Sequence, residues 1–174
     1  GGLNWSDESY ISSGLNFGAY TFIDAETVYM LGSSRLFKTT NGGINWINQG
    51  GMTFNSLLSV YFADNNTGWV AGSYGTILKT TNGGSNWTSM PVGMSVWLYS
   101  IYFTNVNTGW VAGEAGIIFK TTNGGTNWIN QASGSSYVLR SVCFTDTNTG
   151  WAVGESGIII KTTNGGTNWE SQSS

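Results

Sequence analysis

Few side chains in this 174-residue sequence could carry out chemistry. There is no His, the commonest general base and transition-metal ligand, and Cys143 is the only Cys. These residue types exclude Ser-His-Asp and zinc catalysis, so we expect no metal site and no cofactor, and we expect the Cys143 thiol to fill a small buried space. The remaining catalytic groups are nine Asp and Glu side chains, which in pairs could hydrolyse glycosidic bonds.

The carboxylates recur at equivalent positions, which favours structural roles. One repeated turn has a short acid or amide in every copy, namely Asp24, Asp64, Asn105 and Asp146, and such side chains commonly cap turns. Glu114 and Glu155 both lie in a Gly-Glu-x-Gly turn. A unique acid and base pair would not be repeated in this way. We therefore predict no catalytic residue and no enzymatic activity, with a glycoside hydrolase as the less favoured alternative.

Charge is scarce and slightly negative. Charged residues make up 9% of the chain, where about 25% is usual. Six Lys and Arg against nine Asp and Glu give a net charge of -3. Nucleic acids and anionic membranes attract basic surfaces, so neither is an expected partner. No apolar run approaches the roughly 20 residues of a membrane span.

The dominant feature is an internal repeat. Trp5, Trp46, Trp87, Trp128 and Trp169 are each 41 positions apart, and the last four end copies of Lys-Thr-Thr-Asn-Gly-Gly-x-Asn-Trp. A period near 40 is typical of propeller blades and of some helical repeats, but no apolar stripe with helical spacing occurs. Turn residues divide each period into four short segments with strand character. We predict an all-β protein, a β-propeller whose blades have four antiparallel strands.

The period divides the chain into four blades and a surplus segment. The predicted blades cover residues 10–50, 51–91, 92–132 and 133–174, and residues 1–9 match an additional outer strand. The last blade already has its own outer strand, and an unpaired strand edge promotes association. We therefore expect a homo-oligomer, most simply two chains sharing an eight-bladed ring. A filament and a segment of a longer chain are the alternatives.

The repeated turn motif has a physical basis. The Asn side chain can accept backbone N–H groups of its own turn, and the glycines can adopt positive φ. The indole would then fold over the hairpin, and we expect Trp46, Trp87 and Trp128 to be largely buried. The predicted structural residues are Asn41, Gly43, Trp46, Asn82, Gly84, Trp87, Asn123, Gly125, Trp128, Asn164, Gly166 and Trp169.

This motif resembles a known repeat. Its pattern is similar to the Ser/Thr-x-Asp-x-Gly-x-x-Trp signature of Asp-box, or BNR, β-propellers, with Asn in place of Asp at all four sites. The stretch from Gly109 to Trp128 resembles propellers related to photosystem II assembly factors, and similar arrays occur in secreted bacterial proteins. The resemblance implies a non-enzymatic scaffold for protein binding or assembly that is secreted or extracellular, or periplasmic. A sialidase of this family would need an arginine triad, but only Arg35 and Arg140 are present.

Positions that differ between the repeats are the best candidates for binding. Leu58, Tyr99 and Arg140 share one position just before the first strand of their units, which family architecture implies faces the channel mouth. Aromatic and basic side chains in units three and four could stack on a sugar or a peptide. The predicted binding residues are Met94, Trp97, Tyr99, Tyr137 and Arg140. A protein partner is the leading expectation, and a glycan is the first alternative.

Overall fold

The computed structural model describes residues 17–32, 35–51, 53 and 55–173, and the predicted extra strand at residues 1–9 lies outside them. The described residues form four antiparallel sheets, each with four strands in chain order. Blade 1 contains β1 (Phe17–Phe22), β2 (Val28–Gly32), β3 (Arg35–Thr39) and β4 (Ile47–Gly51). Blade 2 contains β5 (Leu57–Phe62), β6 (Gly68–Gly72), β7 (Ile77–Thr80) and β8 (Thr88–Ser89). Blade 3 contains β9 (Leu98–Phe103), β10 (Gly109–Gly113), β11 (Ile118–Thr121) and β12 (Ile129–Gln131). Blade 4 contains β13 (Leu139–Phe144), β14 (Gly150–Gly154), β15 (Ile159–Thr162) and β16 (Glu170–Ser171).

The fold is therefore all-β with propeller blades, which confirms the predicted class. One strand, β4, extends to Gly51, one residue past the predicted boundary of its unit. Short 3-10 turns, Ser73–Gly75, Glu114–Gly116 and Glu155–Gly157, join the second and third strands of blades 2 to 4. No helix in the described part of the chain is long and apolar enough to cross a membrane.

A glycine opens the second strand of blades 2, 3 and 4 because an aromatic ring lies directly against its backbone. A Cβ atom at Gly68 would lie 2.5 Å from the ring of Phe62, and the same distance separates a Cβ at Gly109 from Phe103. The absence of a side chain lets the Phe of the first strand lie flat across the second. Blade 1 has Val28 at this position, and its Phe22 is exposed.

The hydrophobic core lies between successive blades. In blades 1 to 3, the aromatic residue of the second strand stacks on the Phe of the next blade, with ring centroids 3.6 Å apart for Trp69 and Phe103 and 3.5 Å apart for Trp110 and Phe144. Both tryptophans have no exposed surface. Burying a side chain of this size is worth several kcal/mol, since its removal from a core costs about 3–5 kcal/mol. These stacks therefore contribute, together with buried aliphatic side chains, to holding the blades together.

The first strand of each blade contacts the first strand of the next, so these strands form the inner edge of the arc. Among the described strands, β1 packs on β5 and β13 packs on β9, while each leaves its other side without an inner neighbour. The outward faces of blades 1 and 4 are consequently exposed. Cys143 lies on the blade 4 face and is exposed, so the expectation that its thiol fills a buried space is wrong. The corresponding Tyr61 and Tyr102 are half-buried because another blade follows them.

Candidate functional site

The turn between the third and fourth strands is organised by one Asn and one Thr. In blade 2, the Oδ1 atom of Asn82 accepts a hydrogen bond of 2.9 Å from the Asn86 N–H. The hydroxyl of Thr80 donates to the same Oδ1 at 3.0 Å and accepts the Gly84 N–H at 3.0 Å. Gly84 has φ of 92°, which favours Gly. Equivalent bonds surround Asn41, Asn123 and Asn164.

The motif tryptophans are not buried to the same extent in all four blades. Trp169 is buried, and Trp46, Trp87 and Trp128, which the sequence predicts to be largely buried, keep a minor part of their surface exposed. Each of Trp87, Trp128 and Trp169 meets the Phe of its own blade edge-on, at 5.9–6.1 Å between centroids. The flat faces of these Phe rings are taken by the second-strand aromatic residues, which sequence reasoning did not single out.

The motif lysines lie over aromatic rings. The Nζ atom of Lys79 is 5.3 Å from the centroid of Trp69, and that of Lys120 is 5.3 Å from Trp110. Lys38 and Lys161 lie similarly over Tyr29 and Trp151. All four lysines are half-buried, and burial lowers the pKa of Lys120. A cation over an aromatic face stabilises this packing by about 0.5–2 kcal/mol.

The repeated acidic turn is held by its own carboxylate. The Oδ1 atom of Asp146 accepts backbone N–H groups of Asn148 at 2.7 Å and Thr149 at 3.0 Å, and Asn105 accepts the equivalent pair. These bonds favour the charged form and hold the pKa of Asp146 below its ordinary value. The pKa of Asp24 is lowered in the same way, by the backbone N–H groups of Thr27 and Glu26. The carboxylates of these turns therefore accept hydrogen bonds from backbone N–H groups of their own turn. Within the described ranges, no group of three His, Cys, Asp or Glu could hold a metal ion.

Three of the predicted binding residues form one contiguous surface. The rings of Trp97 and Tyr99 are stacked with centroids 6.2 Å apart, and the guanidinium carbon of Arg140 lies 4.2 Å from the Tyr99 centroid. Trp97 is 37% exposed and Arg140 is exposed. We call Trp97, Tyr99 and Arg140 the Tyr99 surface.

The other two predicted binding residues lie apart from this stack. Met94 is exposed and packs its backbone on the turn of blade 2, where a Cβ at Gly75 would meet the Met94 carbonyl. Tyr137 is exposed, and among the described residues it makes no ring contact with the Tyr99 surface. The structure therefore brings together only part of the predicted set.

Two glutamates that sequence reasoning assigned to turns support this surface. Glu114 accepts the backbone N–H of Trp97 through Oε2 at 2.9 Å. Glu155 forms a hydrogen-bonded ion pair with Arg140, and this bond raises the pKa of the guanidinium. Blade 2 has Ser73 at the position that Glu114 and Glu155 occupy in blades 3 and 4. The signal for this role was available, because the glutamates occur in the two units that also carry the aromatic and basic residues.

Comparisons with known proteins agree with this architecture. A search of curated proteins by sequence found no match. Among solved structures, the chain is similar to YCF48 bound to D1 peptide, with 23% identity and a TM-score of 0.75 over 92% of this chain and 54% of that chain. It is also similar to YCF48 from Cyanidioschyzon merolae, with 19% identity and a TM-score of 0.71 over 92% of this chain and 56% of that chain. The chain thus spans about half the length of these YCF48 structures.

An ancestral GH74 enzyme has a similar arrangement of blades, with 25% identity and a TM-score of 0.76 over 91% of this chain and 24% of that chain. The structural similarity therefore extends to both binding proteins and enzymes. The profile of the family described as photosynthesis system II assembly factor YCF48 matches residues 11–96 and 87–173, and the chain accordingly belongs to this family of BNR-type β-propellers.

Proposed function

We propose that the chain is a non-enzymatic scaffold that binds an extended polypeptide segment across the Tyr99 surface. The observation that carries this proposal is the stack of Trp97, Tyr99 and Arg140, in which Glu114 and Glu155 hold the two outer members. Aromatic and Arg side chains that are already fixed lose little entropy on binding and dominate protein interfaces. Family membership supports a protein partner, and one structural neighbour is a YCF48 bound to a peptide.

The paired charge on this surface indicates the kind of segment that fits. Arg140 and Glu155 compensate each other at the exposed rim, so the surface offers aromatic faces beside a neutral ion pair. Such a surface favours apolar or aromatic side chains on the ligand, flanked by groups that can hydrogen-bond to the pair.

Self-association through the end blades is the second part of the proposal, and a secreted or extracellular location is the third.

A displayed library of random peptides tests the binding surface directly. Peptides selected on the wild-type chain are synthesised, and their affinities are measured by fluorescence anisotropy. We expect Tyr99→Ala to weaken binding at least about thirtyfold, the size of an interface hot spot. Ile129→Ala is the matched control, because Ile129 is an exposed apolar residue on the outer strand β12. Equal affinity for wild type and Tyr99→Ala would contradict the proposed surface.

A carbohydrate-binding module or a glycoside hydrolase is the alternative, favoured by the similarity to the GH74 enzyme. Stacking on Trp97 would also suit a sugar ring. Hydrolysis needs two carboxyl groups about 5–10 Å apart across a cleft, whereas Asp24, Asp64 and Asp146 serve their own turns. Retardation in gels containing xyloglucan, lost in Trp97→Ala, would support the carbohydrate alternative. Release of reducing ends from xyloglucan by the wild type would overturn the non-enzymatic proposal.

A further inference from the structure

Each inner junction of the arc is made by a plug and a socket. The plug is the second-strand aromatic residue, and the socket is the Phe and the glycine turn of the next blade. The Nε1 atom of Trp69 donates to the Gly124 carbonyl of blade 3 at 3.0 Å, and that of Trp110 donates to the Gly165 carbonyl of blade 4 at 3.1 Å. In blade 1, the hydroxyl of Tyr29 points to the corresponding turn of blade 2. The same contact is therefore made three times.

The motif lysine completes each junction. Lys79 lies over Trp69 and reaches the turn of blade 3, where a Cβ at Gly124 would lie 2.7 Å from its Nζ atom. Lys120 reaches Gly165 of blade 4 at the same distance. The junctions between blades 2 and 3 and between blades 3 and 4 thus bring an indole and an ammonium group against one glycine turn.

Blade 4 carries the same plug without a socket. Lys161 lies 5.3 Å from the centroid of Trp151, as in the inner junctions, but Trp151 is half-buried and no described residue accepts a hydrogen bond from its Nε1 atom. Val153 is 40% exposed, whereas the corresponding Ala112 is fully buried. Cys143 beside Trp151 is also exposed. We call these four residues, Cys143, Trp151, Val153 and Lys161, the plug face.

Blade 1 carries a socket that no plug from the described residues fills. A groove of about 410 Å³ lies on its outward face, with Met30 and Trp46 among its walls. Tyr20 and Phe22 border it and are 68% and 63% exposed. The turn at Gly42 on its rim corresponds to those at Gly124 and Gly165.

The vacant socket differs from the inner sockets in two ways, of which the second, its charge, suits an incoming plug. Val28 keeps Phe22 from lying flat, because a side chain at this position would meet the ring, as the Cβ positions at the other blades show. The groove therefore lacks the flat Phe ring on which the plugs of the inner junctions stack. The second difference is charge. Glu26 stands where the inner sockets have Asn107 or Asn148, and its carboxylate lies 3.5 Å from the place of a Cβ at Gly42. A lysine that reaches the equivalent glycine in the inner junctions would here meet an acid.

We propose that the plug face of one copy docks on the blade 1 socket of a second copy, with Trp151 in the groove and Lys161 against Glu26. The opposite charges at the two ends select this pairing. Two copies related by a two-fold axis make the contact twice and close a ring of eight blades, within the usual range of about four to eight. This inference rests on the proposed self-association and names its surfaces.

Sedimentation equilibrium of the full chain measures the assembly. We expect a dimer whose dissociation constant rises at least about tenfold in Trp151→Ala, while the matched Ile129→Ala variant is unchanged. Circular dichroism verifies that both variants remain folded. Maleimide labelling of Cys143 gives a second reading, because docking covers the thiol and slows its reaction as the protein concentration rises. A wild type that is monomeric at every concentration, or that forms polymers larger than two chains, would overturn the proposal.

Exchange of the two charges tests the pairing without removing the indole. Glu26→Lys alone places two lysines at each junction, and Lys161→Glu alone places two glutamates there, so each variant should be a monomer. An equimolar mixture restores opposite charges at both junctions and should form dimers, as should the double variant. Dimers in each single variant, or monomers in the mixture, would refute the contact between Lys161 and Glu26.

The two proposals fail separately. A monomeric chain whose peptide binding still depends on Tyr99 would overturn only the docking of two copies. A dimer that binds no selected peptide would overturn only the Tyr99 surface.

Discussion

At the scale of single residues, the Asn of the turn motif carries out the task that Asp has in the Asp-box pattern. The oxygen of Asn82 accepts one backbone N–H and one hydroxyl, and an amide oxygen can do both without charge. A neutral acceptor is consistent with a chain in which only 9% of residues are charged. The turn therefore depends on the acceptor atom rather than on its charge.

The first prediction follows from that acceptor. Asn82→Ala leaves the Asn86 N–H without its partner and should lower the free energy of unfolding by about 0.5–1.5 kcal/mol. Asn82→Asp retains an acceptor at the same place and should cost less. Urea denaturation measures both. Equal losses in the two variants would show that the amide NH₂ group, and not the oxygen, stabilises the turn.

The second prediction concerns the acidic turn of blade 4. The pKa of Asp146 is lowered in the folded chain, so its stabilising effect is complete above the ordinary value of 3.8 and is lost as the pH falls through the folded value. Asp146→Asn keeps the acceptor, as Asn105 does in blade 3, and removes this titration. The melting temperature of the variant should therefore fall less on acidification than that of the wild type. Asn105→Asp is the converse test and should increase the loss in acid.

At the scale of strands, the second strand of each blade determines how blades pack. The aromatic residue of this strand packs on the next blade. The glycine that begins the strand lies against the Phe ring of its own blade. The motif tryptophans are more conspicuous in the sequence but contact the Phe rings only at their edges. The face-to-face ring contacts between blades therefore lie on a strand that the repeat motif does not include.

The third prediction compares two tryptophans of blade 3. Trp110 is fully buried, so Trp110→Ala should reduce the free energy of unfolding by about 3–5 kcal/mol. Trp128 is half-buried, and Trp128→Ala should cost less. Urea denaturation at one pH ranks the two variants. A larger loss at Trp128 would mean that the hairpin, rather than the junction, limits stability.

The fourth prediction concerns the opening glycine. Gly109→Ala places a methyl group 2.5 Å from the Phe103 ring and should destabilise the chain by about 1–3 kcal/mol, as overpacked cores do. Gly18→Ala is the matched control, because nothing lies within 4 Å of a Cβ on that strand residue. Thermal denaturation of the two variants should separate them clearly. A neutral Gly109→Ala would show that Phe103 can move aside without loss.

At the scale of the whole molecule, each blade is covered only by its neighbours. Repeat arrays of this kind derive stability from the units and from the interfaces between adjacent units. Blades 2 and 3 have an interface on both sides, while the plug face of blade 4 has none within the described chain. Stability should therefore be highest in the middle of the arc.

Hydrogen exchange measures this fifth prediction. At protein concentrations low enough to keep the chain monomeric, amides of β10 should exchange more slowly than those of β14, because local opening is easiest where few neighbours pack. At concentrations that favour docking, the exchange of β14 should slow. Uniform exchange across all blades would indicate a single cooperative unit.

How far the sequence predicted this structure depends on whether a property is local. Period, strand type and the turn at Asn82 depend on neighbouring residues in the chain, and the turn bonds at that residue lie within five positions. Burial does not. Trp110 and Trp151 occupy equivalent positions, but one is fully buried and the other half-buried, because a following blade covers Trp110 and none of the described residues forms one beyond blade 4. Cys143 was misjudged for the same reason.

The Tyr99 surface illustrates the same limit for a functional site. Tyr99 and Arg140 are 41 positions apart, and the repeat predicts that they occupy corresponding places on adjacent blades. Their stacking, however, depends on the distance between blades and on Glu155, which draws the guanidinium into place. Met94 and Tyr137 are close in sequence to these residues but lie outside the stack. Proximity along the chain was therefore a poorer guide than equivalent position in the repeat.

The uniform junction also bears on how such a chain can change in length over evolutionary time. An indole, an ammonium group and a glycine turn meet in the same way between blades 2 and 3 as between blades 3 and 4. A gene duplication that inserted one more unit of 41 residues would therefore supply both faces that its new neighbours require. Unequal recombination between the nearly identical turn sequences can thus add or remove whole blades without the selection of a new interface.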